Sequence, residues 1–102
     1  MIPALEQRSD ELKRLCREYS VRRLDLFGSA ATGRHDPDSS DLDFLVEFQP
    51  SALDAYADTY FGLLEALGQL FERPVDLVVE SAIKNPYFIQ SVERTRTTVY
   101  EA

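Results

Sequence analysis

The chain carries one cysteine, one histidine, no tryptophan and only four glycines in 102 residues. Cys16 alone cannot close an internal disulfide, and no cysteine spacing of the zinc-binding kind exists. His35 has no partner at nucleophile or metal spacing and reads as a solvated loop residue. No apolar run approaches the roughly 20 residues needed to cross a bilayer, so no membrane association is expected. The opening stretch MIPALEQRSDELKR lacks an apolar segment of signal-peptide length, and the expected location is cytoplasmic. Cations are scarce too: 11 Lys and Arg stand against 18 Asp and Glu, for a net charge of −7. Broad binding to a nucleic-acid backbone needs clustered cations, so direct nucleic-acid binding is excluded.

What is present suits a folded protein. A 44% apolar fraction with interspersed charge indicates a soluble globular chain, and the length suits one domain spanning residues 1–102. Leu5, Leu12, Leu15, Cys16 and Tyr19 recur at helical spacing and predict a helix from about residue 3 to about residue 18. Val21 to Phe27 reads as a strand whose two-residue period slips at Arg22-Arg23. A short helical turn over Ser29–Thr32, closed by Gly33, and a polar loop over 34–40 follow. Asp41 to Phe48 is a second strand, and Ser51 or Ala52 starts a long helix running to about Phe71. Val75 to Glu80 is a third strand, Asn85-Pro86 starts a helix, and Thr97 to Tyr100 is either a short strand or an extended tail. The order implies an α+β fold, a small mixed sheet of three to four strands with helices packed against it.

The segment FGSAATGRHDPDSSDLDFLVEF, from Phe27 to Phe48, concentrates the chemistry. Strand alternation puts Asp41 and Asp43 on one face and Leu42 and Phe44 on the other. Two carboxylates so close repel unless a cation neutralises them, and hard oxygen ligands favour magnesium or calcium. Gly28 and Ser29 add a turn where the backbone can approach a ligand closely and where phosphate can be held. A calcium loop over Asp36, Asp38, Asp41 and Asp43 is the sharpest rival. It lacks the turn glycine and the twelfth-position Glu of an EF-hand. Metal beside phosphate suggests a nucleotide, and the acidic balance does not exclude ATP, because metal ions and local Arg residues can offset a triphosphate. The same acidity suits a basic protein partner.

An apolar residue, Gly28-Ser29, eleven residues, then Asp41-Leu42-Asp43-Phe44 resembles the DNA polymerase β-type nucleotidyltransferase superfamily. Over nearly its whole length the chain looks like the minimal nucleotidyltransferase antitoxins of HEPN toxin–antitoxin pairs. The resemblance implies a third carboxylate on the strand RPVDLVV, where Asp76 matches, and two Mg2+ ions held by Asp41, Asp43 and Asp76 as the catalytic set. It implies ATP as substrate, with Gly28 and Ser29 gripping its phosphates. It further implies transfer of AMP to a hydroxyl, expected to be a tyrosine, of a cognate HEPN ribonuclease toxin held in a hetero-oligomer. Close relatives carry Arg where this chain has Ala30 and Thr32, which leaves Arg34, Arg22 or Arg73 as substitute cations. Two other classes stay open: a non-catalytic antitoxin that occludes its toxin, and a small-molecule nucleotidyltransferase completed by a second subunit. Cys16, Tyr56, Tyr60 and Phe61 are expected to pack, and Arg94 and Arg96 to lie on the surface.

Overall fold

The computed structural model describes residues 3–28 and 41–102. Four strands form one mixed sheet in the order β3-β2-β1-β4. They are β1 (Val21–Phe27), β2 (Leu42–Phe48), β3 (Val75–Val79) and β4 (Thr97–Glu101). β1 pairs antiparallel with β2 and β4, whereas β2 and β3 run parallel. A parallel pair needs a long crossover, and that crossover holds the longest helix, Tyr56–Phe71. The last segment is thus a strand, not a tail, and the α+β mixed sheet expected from the sequence has four strands.

The N-terminal segment is two helices where one is expected: α1 (Pro3–Gln7) and α2 (Ser9–Glu18). Arg8 leaves helical geometry at φ −112°, ψ 21°, yet Leu5, Leu12 and Cys16 all reach the same core. The long helix also begins later than expected. Pro50, with its fixed φ, opens a 3-10 helix over Pro50–Ala55, and Ala55 departs to φ −136° before α3 (Tyr56–Phe71) starts. Leu63, Leu67 and Phe71 recur every four residues along α3 and are buried. Helix α4 (Pro86–Thr95) starts with Pro86 in its first turn, and the Asn85 side chain accepts the Tyr87 N–H at 2.9 Å.

Alternation divides the sheet into two faces. Leu24, Leu26, Leu42, Phe44, Val46 and Leu77 face the main core, covered by α1, α2 and α3. Phe27, Leu45 and Val78 face the other way, where Val92 of α4 and Ile83 complete a second, smaller cluster. The period slip at Arg22 is a register irregularity between Val21 and Arg23, which returns Leu24 and Leu26 to the core face. Cys16 is fully buried, and that burial pushes its thiol up to about 12, so it is an inert core residue. Tyr60 packs against the core and donates its hydroxyl to the Leu77 carbonyl of the edge strand β3, while Tyr56 and Phe61 are exposed.

Asp25, 1% exposed, is the one buried charged residue among those described. Its Oδ1 accepts from Arg23 Nε at 3.1 Å and its Oδ2 from Arg96 Nε at 2.7 Å. Arg96 also meets Glu80 at 2.9 Å and Glu93 at 2.5 Å. Burial opposes the Arg96 charge, but the hydrogen bonds to Asp25, Glu93 and Glu80 outweigh it and raise its pKa further. Arg96 is therefore not the surface residue the sequence suggests. Removing Arg96 leaves the buried Asp25 with Arg23, on one carboxylate oxygen, at a cost of up to about 3 kcal/mol, the low end for a broken buried pair. Arg96→Met should show a loss of that order in urea denaturation, and Asp25→Leu/Arg96→Met should recover much of it. A single variant as stable as wild type would show that the pair does not hold α4 to the sheet.

Candidate active site

Three strand ends converge on the α4 face of the sheet: the end of β1 and the starts of β2 and β3. The antiparallel register sets Phe27 opposite Asp43, and the parallel register sets Asp43 opposite Asp76. Because Leu42, Phe44 and Leu77 are buried in the main core, Asp43 and Asp76 project from the opposite face. Asp41 precedes β2 and is exposed; Asp76 is exposed and Asp43 half-buried. The structure thus brings Asp43 and Asp76 side by side, with Asp41 two residues ahead.

Gly28 closes β1 at φ +77°, a conformation that strains any residue with a Cβ. A Cβ at this position would stand 2.7 Å from Asp43 Oδ2, so glycine alone lets the chain pass so near that carboxylate. The Gly28 N–H donates to Thr95 Oγ1 at 3.0 Å. That amide is engaged within the protein here, and the glycine supplies close approach to Asp43. Ser29 and Arg34, together with Ala30, Thr32 and His35, lie outside the described residues. Arg22 is no substitute cation, because it sits at the far end of β1 and pairs with Glu47 at 3.4 Å. Arg73 precedes β3 three positions before Asp76, at the site's end of the sheet.

Electrostatics ties the carboxylates together. Burial raises the Asp43 pKa above its ordinary value, and the charges of Asp76 and then Asp41 raise it further. Tyr60 is raised in the same way, by burial first and then by the Asp76 charge, so the field of Asp76 reaches across the edge of β3. Among the described residues, no group of three or more His, Cys, Asp or Glu side chains is placed to hold a metal ion by itself. The donor set still fits magnesium, which is held by one or two carboxylates with substrate phosphates and waters completing its shell. The half-buried Asp43 anion, disfavoured by both neighbouring carboxylates, is the observation that asks for a cation here.

Sequence reasoning missed Thr95, which lies 67 residues from Gly28 and carries no motif. It also passed over Asp25, although a carboxylate between Leu24 and Leu26 in mid-strand was a readable signal.

The raised Asp43 pKa has a thermodynamic consequence. A carboxyl that is harder to ionise folded than unfolded costs stability once the pH rises above the unfolded value, near 3.8, and the full cost holds above the folded pKa. Asp43→Asn should therefore melt higher than wild type at neutral pH, with the gap closing as the pH falls toward that value. Millimolar Mg2+ should raise the melting temperature of wild type and leave that of the variant unmoved. Differential scanning calorimetry across pH, with and without Mg2+, checks both; a variant less stable than wild type at pH 7 would contradict the repulsion.

Comparison with known proteins agrees with this geometry. Residues 9–99 match the family described as nucleotidyltransferase domain. A Methanocaldococcus jannaschii protein named as a protein adenylyltransferase is 36% identical over 76 residues, which cover 74% of each chain. A solved structure described as a minimal nucleotidyltransferase superposes with a TM-score of 0.73 at 31% identity, covering 91% of this chain and 90% of the other. The fold also matches, with a TM-score of 0.59 at 16% identity, a structure of a tri-AMPylated Shewanella oneidensis HEPN toxin in complex with its minimal nucleotidyltransferase antitoxin; the match covers 95% of this chain and 72% of that one. With a carboxylate pair in parallel register behind a glycine turn, and a family match across most of its length, the chain belongs to the nucleotidyltransferase domain family, among its minimal members.

Proposed function

We propose that this nucleotidyltransferase transfers AMP from ATP to a hydroxyl, expected to be a tyrosine, on a cognate cytoplasmic HEPN-domain toxin, and so inactivates it. The observation that carries this reading is the pairing of Asp43 with Asp76 across β2 and β3, with Gly28 packed against Asp43. Support for a protein acceptor comes from the surface beside it. α4 exposes Tyr87 and Ile89 to solvent, 80% and 40% exposed, and Phe88 of the same helix meets Phe27 edge-on at 6.1 Å next to the Gly28 turn. Three consecutive, partly exposed apolar side chains at the start of α4 suit a macromolecular partner. A chain with net charge −7 also favours a basic one.

In this reading Asp41, Asp43 and Asp76 would hold two Mg2+ ions. When bound, the ions lower the pKa of the acceptor hydroxyl and offset charge on the departing pyrophosphate. The acceptor oxygen attacks the α-phosphorus in line. As the new O–P bond forms, the bond from that phosphorus to the pyrophosphate oxygen breaks, and pyrophosphate leaves with the electron pair. Asp76, exposed where Asp43 is half-buried, takes the hydroxyl proton on its carboxylate oxygen. Asp43, backed by Gly28, stays fixed by its strand. Ser29 is proposed to contact the phosphates on the strength of the family pattern, and Arg34 as a substitute for the cations that Ala30 and Thr32 lack. An adenylyl group adds negative charge and bulk where a ribonuclease must bring an RNA phosphate, so modification blocks the toxin.

Catalysis and simple occlusion separate in one experiment. Asp41→Asn/Asp43→Asn removes repulsion without removing packing, so the variant should fold and bind its toxin yet lose AMP transfer. Cells carrying the toxin should then lose protection. Protection equal to wild type by the folded double variant would mean that occlusion, not adenylyl transfer, neutralises the toxin.

A further inference from the structure

The end of α4 grips the end of β1 at two points three residues apart. Thr95 Oγ1 accepts the Gly28 N–H at 3.0 Å, and the next residue, Arg96, binds the buried Asp25. The hydroxyl of Thr95 lies 3.5 Å from the Val92 carbonyl, so its proton turns toward its own helix and its lone pair toward Gly28. Above these contacts Val92 shares the small apolar cluster with Phe27, the residue before Gly28. A Cβ added at Gly28 would stand 2.7 Å from Asp43 Oδ2, so a side chain there would push that carboxylate aside. The peptide plane entering Gly28 is thus set from α4.

We propose that Thr95 is a positioning residue: its hydroxyl fixes the Gly28 turn against the Asp43 carboxylate and so fixes the orientation in which that carboxylate meets a metal-bound nucleotide. This rests on the adenylyl-transfer reading for its ligand, but not for the contact itself. Asp25 and Arg96 serve as the anchor that keeps Thr95 in register with β1. Without the hydroxyl, the Gly28 N–H loses its partner in a half-buried setting, and the turn relaxes away from Asp43. Displacement of a reacting group's support by a fraction of an ångström is enough to weaken a site built on geometry.

The test compares wild type, Thr95→Val, which keeps the shape and loses the acceptor, and Thr95→Ser, which restores it. Leu63→Val destabilises the core on the opposite face of the sheet and controls for a general loss of stability. Amide hydrogen exchange at Gly28 should speed up about fivefold to tenfold in Thr95→Val. Mn2+ affinity, measured by electron paramagnetic resonance with a non-hydrolysable ATP analogue present, should weaken about tenfold. Thr95→Ser should restore both, and Leu63→Val should lower the melting temperature while keeping Mn2+ affinity. Thr95→Val with wild-type exchange or wild-type Mn2+ affinity overturns the inference, as does a matching affinity loss in Leu63→Val or a failure of Thr95→Ser to rescue. Wild-type protein that binds no Mn2+ with the analogue would instead overturn the adenylyl-transfer reading on which the ligand depends.

Discussion

Two carboxylates placed opposite each other on neighbouring strands are the constraint around which this molecule is arranged. Parallel pairing of β2 and β3 sets Asp43 level with Asp76, and like charges at that separation disfavour the folded state. The sheet tolerates them because both side chains leave the main core, which Leu42, Phe44 and Leu77 fill from the other face. The parallel pair in turn requires the crossover through α3, whose buried Leu63, Leu67 and Phe71 close the core beneath β2 and β3. Residual repulsion is left for a cation to relieve. That is a common arrangement at reaction sites, where local stability is given up for a charge distribution complementary to a ligand.

The opposite edge of the site has a different logic. β1 brings Gly28 against Asp43, and this approach works only with a left-handed glycine. The turn is held by α4 through the Thr95 hydroxyl, and α4 is held by the buried Arg96–Asp25 pair. Buried ion pairs contribute little net stability compared with apolar packing, yet breaking one is costly. Here the pair ties β1 to the end of a helix whose last residue, Thr95, reaches the Gly28 turn and whose first turn exposes Tyr87. One short helix therefore links the chemistry to the surface a partner protein would meet.

Much of this was legible in the sequence, and the limits have physical causes. Period-two alternation around Asp41-Leu42-Asp43-Phe44 gave the face of each side chain, because that pattern depends only on strand geometry. Asp76 opposite Asp43 could be expected from the family resemblance, but its register depends on strand pairing that no local pattern encodes. The slip at Arg22-Arg23 was visible, and the structure places an irregularity there. The break at Arg8 was not, since apolar spacing runs through it unchanged. The 3-10 start of the long helix escaped notice for a similar reason: Pro50 marks a beginning without saying which helix begins. Arg96 looked like a surface residue and Thr95 drew no notice, because their partners, Asp25 and Gly28, are about seventy positions away. Long-range polar contacts leave no periodicity to read.

Adenylyl transfer to a protein is the claim on which the rest converges, and the product itself is the most direct test. A candidate HEPN-domain toxin, incubated with the purified protein, ATP and Mg2+, can be weighed intact by mass spectrometry and its ribonuclease activity followed in parallel. The expected result is a toxin heavier by one or more whole adenylyl groups, located on a tyrosine, with activity falling as the modified fraction rises. A toxin that remains unmodified while this protein inhibits it stoichiometrically would contradict the claim.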